Sequence, residues 1–365
     1  MLIRTPDNEA EAAARESGLE VIAAVDGCRL PIDSTLAILV VGAQCRRPED
    51  RLAIDRTDVR SLQILTRDAS IIGTRFDQFD ARGLRGATPD LIRGRLILST
   101  GEDLIVVDVN SRTFTPLAVT GIEDAHDVTV LADGGLLIAN SGSDEIIEVN
   151  FAGAEIRRMS LEPFRSPRAR PIDHSRRAAG ALAPRLTAGR DHFHVNQAFV
   201  GGDGRRYALV HHIDGFQRIS HVATRLVGHG RGGVLDLDAH RYHALRLQAP
   251  HSLRLWRDGF LVLDSGRQCV VTLDKSWYPS GSHAVPGWAR GADADSNGTL
   301  WVGLSAIRRR YRNSPTRNGM NAVIALNQHL RMVAQRELTH VDEVWAVHVV
   351  PASFAAELIR TAPCL

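Results

Sequence analysis

The feature that most constrains this chain is a short pattern that recurs four times along it. The copies are His126-Asp-Val-Thr-Val-Leu-Ala-Asp-Gly134, Asn196-Gln-Ala-Phe-Val-Gly-Gly-Asp-Gly204, His251-Ser-Leu-Arg-Leu-Trp-Arg-Asp-Gly259 and Arg290-Gly-Ala-Asp-Ala-Asp-Ser-Asn-Gly298. Each opens on a polar residue, alternates through a short strand and closes on Asp-Gly or Asn-Gly. Such a pair suits a two-residue hairpin turn, because it supplies the positive φ angles that the turn needs. An apolar second strand follows each turn: Leu136–Ala139, Tyr207–Val210, Phe260–Leu263 and Leu300–Val302. Small polar turns then appear at Ser99-Thr-Gly101, Asn140-Ser-Gly142 and Asp264-Ser-Gly266. Third strands are expected at Leu104–Val109, Ile146–Val149 and Cys269–Leu273, with a looser fourth such as Glu155–Met159.

One repeat is therefore one four-stranded sheet, and self-similar small sheets point to radial repetition. A further copy starts near Arg85, where Arg93-Gly94 replaces Asp-Gly and the altered spacing suggests a bulge. Leu36–Val41, Arg51–Ile54 and Leu62–Thr66 supply three more strands without a first one, and Val344–Val350 is a strand without a sheet. Pairing the two sets gives an all-β, six-bladed propeller closed by its C-terminal strand, which removes the open edges of an unclosed array. The expected layout is an N-terminal extension with a short helix over 1–34, the propeller over 35–351 and a C-terminal tail over 352–365. An Arg-, Ala- and Pro-rich insertion over 161–190 reads as a lid or a basic stripe for an acidic protein partner.

In a propeller the first strand of each blade faces the central channel. Because neighbouring strands run antiparallel, the start of the first and the end of the second share one sheet edge. That places Arg85, His126, Asn196, His251 and Arg290 at one mouth, with Asn140 and Asp264 beside them. His194 lies two residues before Asn196 and so falls on its face of the strand. Trp345 is the matching position of the closing blade, preceded by Glu343; His348 falls out of this register, while His211 and His212 end a second strand. Three histidines from successive blades suit a divalent transition metal such as Zn, Fe or Mn. Without a metal, the same imidazoles serve as acid/base groups, or as hydrogen-bonded structural residues. Arg85 and Arg290 would clamp a carboxylate or phosphate, with Asn196 orienting it and Trp345, Asn140 and Asp264 lining the pocket. Tyr311 and Arg308–Arg310 follow a second strand and would cover the mouth.

Composition narrows the partners. A formal net charge of +2 over 365 residues gives no basic field for nucleic acid or anionic membrane. Lys275 is the only lysine, so the positive charge is almost entirely arginine. No apolar run approaches the roughly 20 residues of a membrane span, and Met1–Glu11 lacks the basic and apolar regions of a secretory signal. The four cysteines, Cys28, Cys45, Cys269 and Cys364, show no metal-type spacing and fit thiols in a reducing cytoplasm. Gly-rich phosphate loops and Gly-x-Ser-x-Gly elbows are absent from the sequence, which leaves kinase, dinucleotide-dependent and α/β-hydrolase chemistries unsupported.

The stretches Asp133-Gly-Gly-Leu-Leu-Ile-Ala-Asn-Ser-Gly142 and Arg257-Asp-Gly-Phe-Leu-Val-Leu-Asp-Ser-Gly266 resemble the NHL-repeat and gluconolactonase-like six-bladed propellers. His194-Val-Asn-Gln197, Pro250-His-Ser252 and Pro286-Gly-Trp-Ala-Arg-Gly291 are similar to motifs of an uncharacterised bacterial propeller family. The resemblance spans about Gly83 to Pro351 and implies the fold more than the activity. Lactonases of the wider superfamily hold a metal with carboxylates and asparagines, where this chain offers histidines and arginines. Propeller lyases, which carry a metal or base on channel histidines, are the nearer analogy. The expectation is thus a lyase or hydrolase acting on a small anionic molecule through His126, His194 and His251, with Arg85 and Arg290 on the anion. The alternative is a non-catalytic propeller that binds a ligand or a protein.

Overall fold

The computed structural model describes residues 8–23, 29–43, 60–73, 84–165, 191–215, 230–305 and 321–361. The strand expected at 51–54, most of the 161–190 insertion and the 308–311 loop lie outside these residues. The fold is all-β, a six-bladed propeller built of six antiparallel sheets. Five of them have four strands in simple chain order: β5 to β8 (Gly86–Asp90, Arg95–Ser99, Leu104–Asp108, Thr113–Leu117), β9 to β12 (Ala125–Val130, Leu136–Asn140, Glu145–Val149, Glu155–Ser160), β13 to β16 (Val195–Val200, Arg206–Val210, Gly232–Asp236, Arg241–Leu247), β17 to β20 (Pro250–Trp256, Gly259–Asp264, Cys269–Leu273, Pro279–Ala284) and β21 to β24 (Trp288–Ala294, Leu300–Ser305, Ala322–Leu326, Met332–Glu337). The sixth combines the two ends of the chain. Its strands β1 (Glu20–Ala23), β2 (Leu36–Ala43), β3 (Leu62–Leu65), β4 (Ala69–Ile72) and β25 (Glu343–Pro351) lie in the order β25-β2-β3-β4-β1. The C-terminal strand thus supplies the missing first strand, running antiparallel to β2 from Leu36↔Pro351 to Ala43↔Glu343. Two strands escaped the sequence pattern, β4 and β1, and residues before 35 contribute to this sheet.

The Asp-Gly turns differ from the two-residue form. Between β9 and β10, Gly134 N–H donates to Leu131 O and Leu131 N–H to Gly135 O, giving a five-residue connection. The same pair of bonds closes 201–205 and 295–299. In each, glycine takes the left-handed position (φ 91°, 77° and 78° at Gly134, Gly204 and Gly298), so the dipeptide marks the end of a longer turn. Only the His251 copy has a two-residue loop, and there Arg257 holds the positive φ while Gly259 already pairs with Trp256. The bulge expected in the Arg85 blade is absent, since β5 and β6 pair without a break from Gly86↔Ser99 to Asp90↔Arg95. The spacing difference is taken up in the 91–94 turn.

The chain divides into two compact units, residues 1–117, 268–271 and 281–365 in one and 118–267 and 272–280 in the other. In the first, helix α1 (Glu9–Glu16) is capped by Asn8, whose Oδ1 accepts from Glu11 N–H. Its Ala10, Ala13 and Ala14 fall at helical spacing and join a core with Phe354, Ala355 and Leu358 of helix α2 (Ala352–Thr361). In the second unit, Leu137, Ala139, Phe193, Val195, Ala208, Val210 and Leu235 form the core under strands β10, β13, β14 and β15.

Candidate functional site

The polar openers of the repeat sit where the strands bulge. Ala139 pairs with Asp127 and Asn140 with Ala125, leaving His126 as the extra residue of β9. Asn196 is skipped in the same way between Val195 and Gln197 of β13. In the other unit, Arg290-Gly291 lies within the register shift of β21, and Trp345 is the unpaired residue of β25. A bulge re-aims a side chain off the regular pleat, so in four blades the repeat delivers one displaced polar or aromatic side chain. Two blades differ. His251 pairs regularly with Leu263, with the bulge after it at Ser252-Leu253, and the blade that follows Arg85 has no bulge between β5 and β6.

Within the second unit these positions come together. His126 and His194 stand edge to face with ring centroids 4.7 Å apart, His194 and His211 are 4.5 Å apart, and His211 and His251 are 5.5 Å apart. The four rings form a ladder, with His211, ranked behind the others from sequence, as the rung between His194 and His251. His126, His211 and His251 are largely buried, whereas the His194 side chain is 22% exposed. His194 does not follow strand alternation, because its φ of 51° places it in a left-handed turn just before β13.

His126, His194 and His251 are each fixed by a hydrogen-bond partner. His194 Nδ1 is 2.8 Å from Asp191 Oδ2, and Ser141 Oγ lies 3.4 Å from the same nitrogen. Donation from Nδ1 to the carboxylate leaves Nε2 as the basic nitrogen. Burial works against ionisation of Asp191, but the charge and hydrogen bond of His194, with His126 behind it, prevail and hold its carboxyl below the usual range. His126 Nδ1 faces Asn196 Oδ1 at 3.1 Å, and its Nε2 lies 3.4 Å from Asp124 Oδ2. The Asn196 amide nitrogen donates to Pro250 O, which fixes the amide so that its oxygen meets the ring. Both ring nitrogens of His126 therefore face acceptors, and the imidazolium is the form that donates to both. His251 Nδ1 bonds Ser265 Oγ at 2.7 Å.

This arrangement corrects the sequence reading in two places. Among the described residues, no group of three or more His, Cys, Asp or Glu is placed to hold a metal ion. His126, His194 and His251 succeed one another along a ladder with His211 interposed, so they do not surround one point as a ligand set. Asn140 and Asp264, expected to line the pocket, are fully buried. Asn140 accepts from Glu123 N–H and donates to Gly121 O and Ser143 Oγ, and Asp264 accepts from Gln248 N–H and pairs with Arg267 at 3.0 Å. Their side chains are spent holding the preceding connector. In the first unit, Arg85 is buried over Gly101, and the Arg290 guanidinium stacks 3.3 Å above the Trp345 ring centre. His348, out of register as expected, is buried with Nε2 donating to Ala87 O.

Three carboxylates of the site had no signal in the repeat: Asp124, Asp191 and Asp144. The first two flank the exposed end of the ladder. Asp144 is buried, accepting from His192 N–H at 2.6 Å and Phe193 N–H at 3.0 Å. Burial pushes its carboxyl up to about 7 against the pull of those two donors.

No protein-family model and no curated protein matches the sequence. Solved structures do. A protein of unknown function from Bacteroides caccae superposes with a TM-score of 0.56 at 13% identity, covering 87% of this chain and 99% of that one. A chain of a nidogen/laminin complex gives 0.54 at 9% identity, with the same coverage. The calcium-binding protein regucalcin from Agrobacterium tumefaciens strain C58 gives 0.44 at 15% identity, over 70% of this chain and 74% of that one. At these identities the first two likenesses establish the propeller fold alone.

Proposed function

We propose that the chain is an enzyme of lyase or hydrolase type that uses His194 as its acid/base group on a small anionic substrate. The observation that carries this reading is the Asp191–His194 pair: one solvent-reachable imidazole, tied through Nδ1 to a carboxylate and set against the buried His126 ring. The carboxylate fixes the ring orientation and stabilises the cation that forms when Nε2 takes a proton. In a lyase that proton comes from a carbon beside a carboxylate or carbonyl and is returned to the leaving group. In a hydrolase it comes from water. The proposed steps use the imidazoles alone, because among the described residues the histidines form no ligand set.

The test is a panel of small esters, lactones and eliminable hydroxy- or amino-carboxylates, assayed with the native chain and with His194→Gln and Asp191→Asn. Turnover that drops at least 100-fold in His194→Gln and 10-fold or more in Asp191→Asn supports the reading. Binding of an anion without turnover by the native chain would favour the non-catalytic alternative. Turnover unaffected by His194→Gln would sink the assignment.

A further inference from the structure

We infer that Asp144 is the positioning residue of the Asp191–His194 pair, a carboxylate clamp on the backbone that presents His194. The inference rests on the reading of that pair as the reactive group. Asp144 directs both oxygens at consecutive N–H groups, His192 and Phe193, immediately before His194. The far side of the same segment is held by backbone bonds, His211 N–H to His194 O and His212 N–H to Phe193 O. Between these grips His194 adopts its left-handed φ of 51°, a conformation that a non-glycine residue keeps only when its surroundings impose it. That turn allows Asp191, three residues back, to reach Nδ1.

A comparison inside the molecule separates this role from blade architecture. Asp144 and Gln268 hold equivalent places after the Asn140 and Asp264 turns. Both are left-handed, with φ of 54° and 55°, and both accept through their carbonyl from the residue 17 positions on, Leu161 N–H and Val285 N–H. The framework therefore needs the backbone conformation and the carbonyl at this place, and a glutamine serves it. The carboxylate of Asp144 does something else: it reaches to the segment that carries the exposed histidine. Asp191 and His194 are also its electrostatic neighbours, the first resisting its ionisation and the second favouring it.

The experiment uses the full chain labelled with 15N-histidine, as native protein, Asp144→Asn and Asp144→Gln, with Gln268→Ala as the framework control. Asparagine keeps one acceptor but turns an N–H₂ toward the second backbone donor, so one bond of the clamp is lost. Two-bond 1H–15N spectra from pH 5 to 8.5 report the tautomer of each ring. In the native chain His194 is expected as the Nδ1–H form. In Asp144→Asn and Asp144→Gln its two nitrogen shifts should move toward those of a free imidazole, while His251 on Ser265 stays unchanged and Gln268→Ala leaves both as they were. An unchanged His194 signature in folded Asp144→Asn would overturn the inference. Loss of folding in both Asp144 variants would overturn it too, because Asp144 would then belong to the framework. If the signature moves but turnover or anion binding does not, the clamp stands and the proposed function fails.

Discussion

Asp264→Asn exchanges a buried acid for the residue that the second blade uses at the same place, and the outcome can be worked out from the two copies. Asp264 Oδ1 accepts from Gln248 N–H as Asn140 Oδ1 accepts from Glu123 N–H, so the first bond survives the exchange. Asn140 also donates to Gly121 O, two residues before Glu123; the matching carbonyl, Arg246 O, is met in the fourth blade by the Arg267 guanidinium. An asparagine at 264 can take over that donation and release Arg267, whose side chain is 41% exposed and whose ion pair is accordingly weak. What the exchange removes is the cost of an ionised carboxylate with no exposed surface, since burial pushes Asp264 up to about 6 despite Arg267 and the Gln248 N–H.

The sign follows from linkage. A carboxyl whose folded value lies above its unfolded value of 3.8 favours folding while protonated. That contribution is complete below about pH 4 and is lost as the pH rises through 6. At about 1.4 kcal/mol per pH unit, the loss amounts to roughly 3 kcal/mol between pH 4 and 8. Urea denaturation at pH 5 and pH 8 measures it. The stability of Asp264→Asn relative to the native chain should improve by 1–2 kcal/mol or more from pH 5 to pH 8, on the order of the remaining part of that loss. A difference between variant and native chain that is flat, or that falls with pH, would refute both the buried-acid account and the equivalence of Asp264 with Asn140.

Asn196→Leu leaves the His126 ring and Pro250 O without their shared amide; at about 1–3 kcal/mol for each stranded buried group, a net loss of about 3 kcal/mol is expected by urea denaturation. Gly233→Ala puts a methyl 2.2 Å from His243 O between β15 and β16, and should cost about 1–3 kcal/mol in the same assay; an unchanged midpoint would show that the strands separate freely. Truncation after Pro351 removes α2 and uncovers Ala10, Ala13 and Ala14 of α1, so limited proteolysis should cut within residues 9–16 of the truncated chain and spare them in the full one.

The repeat was readable because it records a backbone device. His126, Asn196, Arg290 and Trp345 line up in sequence since each of their four blades spends its extra residue at the same place, and a bulge lifts that residue out of the pleat. Position was thus legible even where chemistry was not: Arg290 is stacked on Trp345, while His126 is held between two acceptors. The sheet formed by the chain ends was read from its lone C-terminal strand, but β4, four residues after a tight turn at Thr66, carries no repeat mark. Asn140 and Asp264 misled for the same reason that they were visible. A residue repeated at a turn can be repeated for the turn's own bonds, and both are consumed by it. The carboxylates that orient the ladder come from elsewhere. Asp124 and Asp191 lie in connectors, where no ladder of backbone bonds imposes a period, and Asp144 shares its backbone role with a glutamine. Register therefore delivers His126 and His251, and irregular chain delivers His194 together with the acids that orient the rings. A propeller can keep the first set fixed by its blade geometry while connectors change the second, so the orientation of the His194 ring depends on the stretch from 191 to 194 and on the Asp144 bonds that hold it.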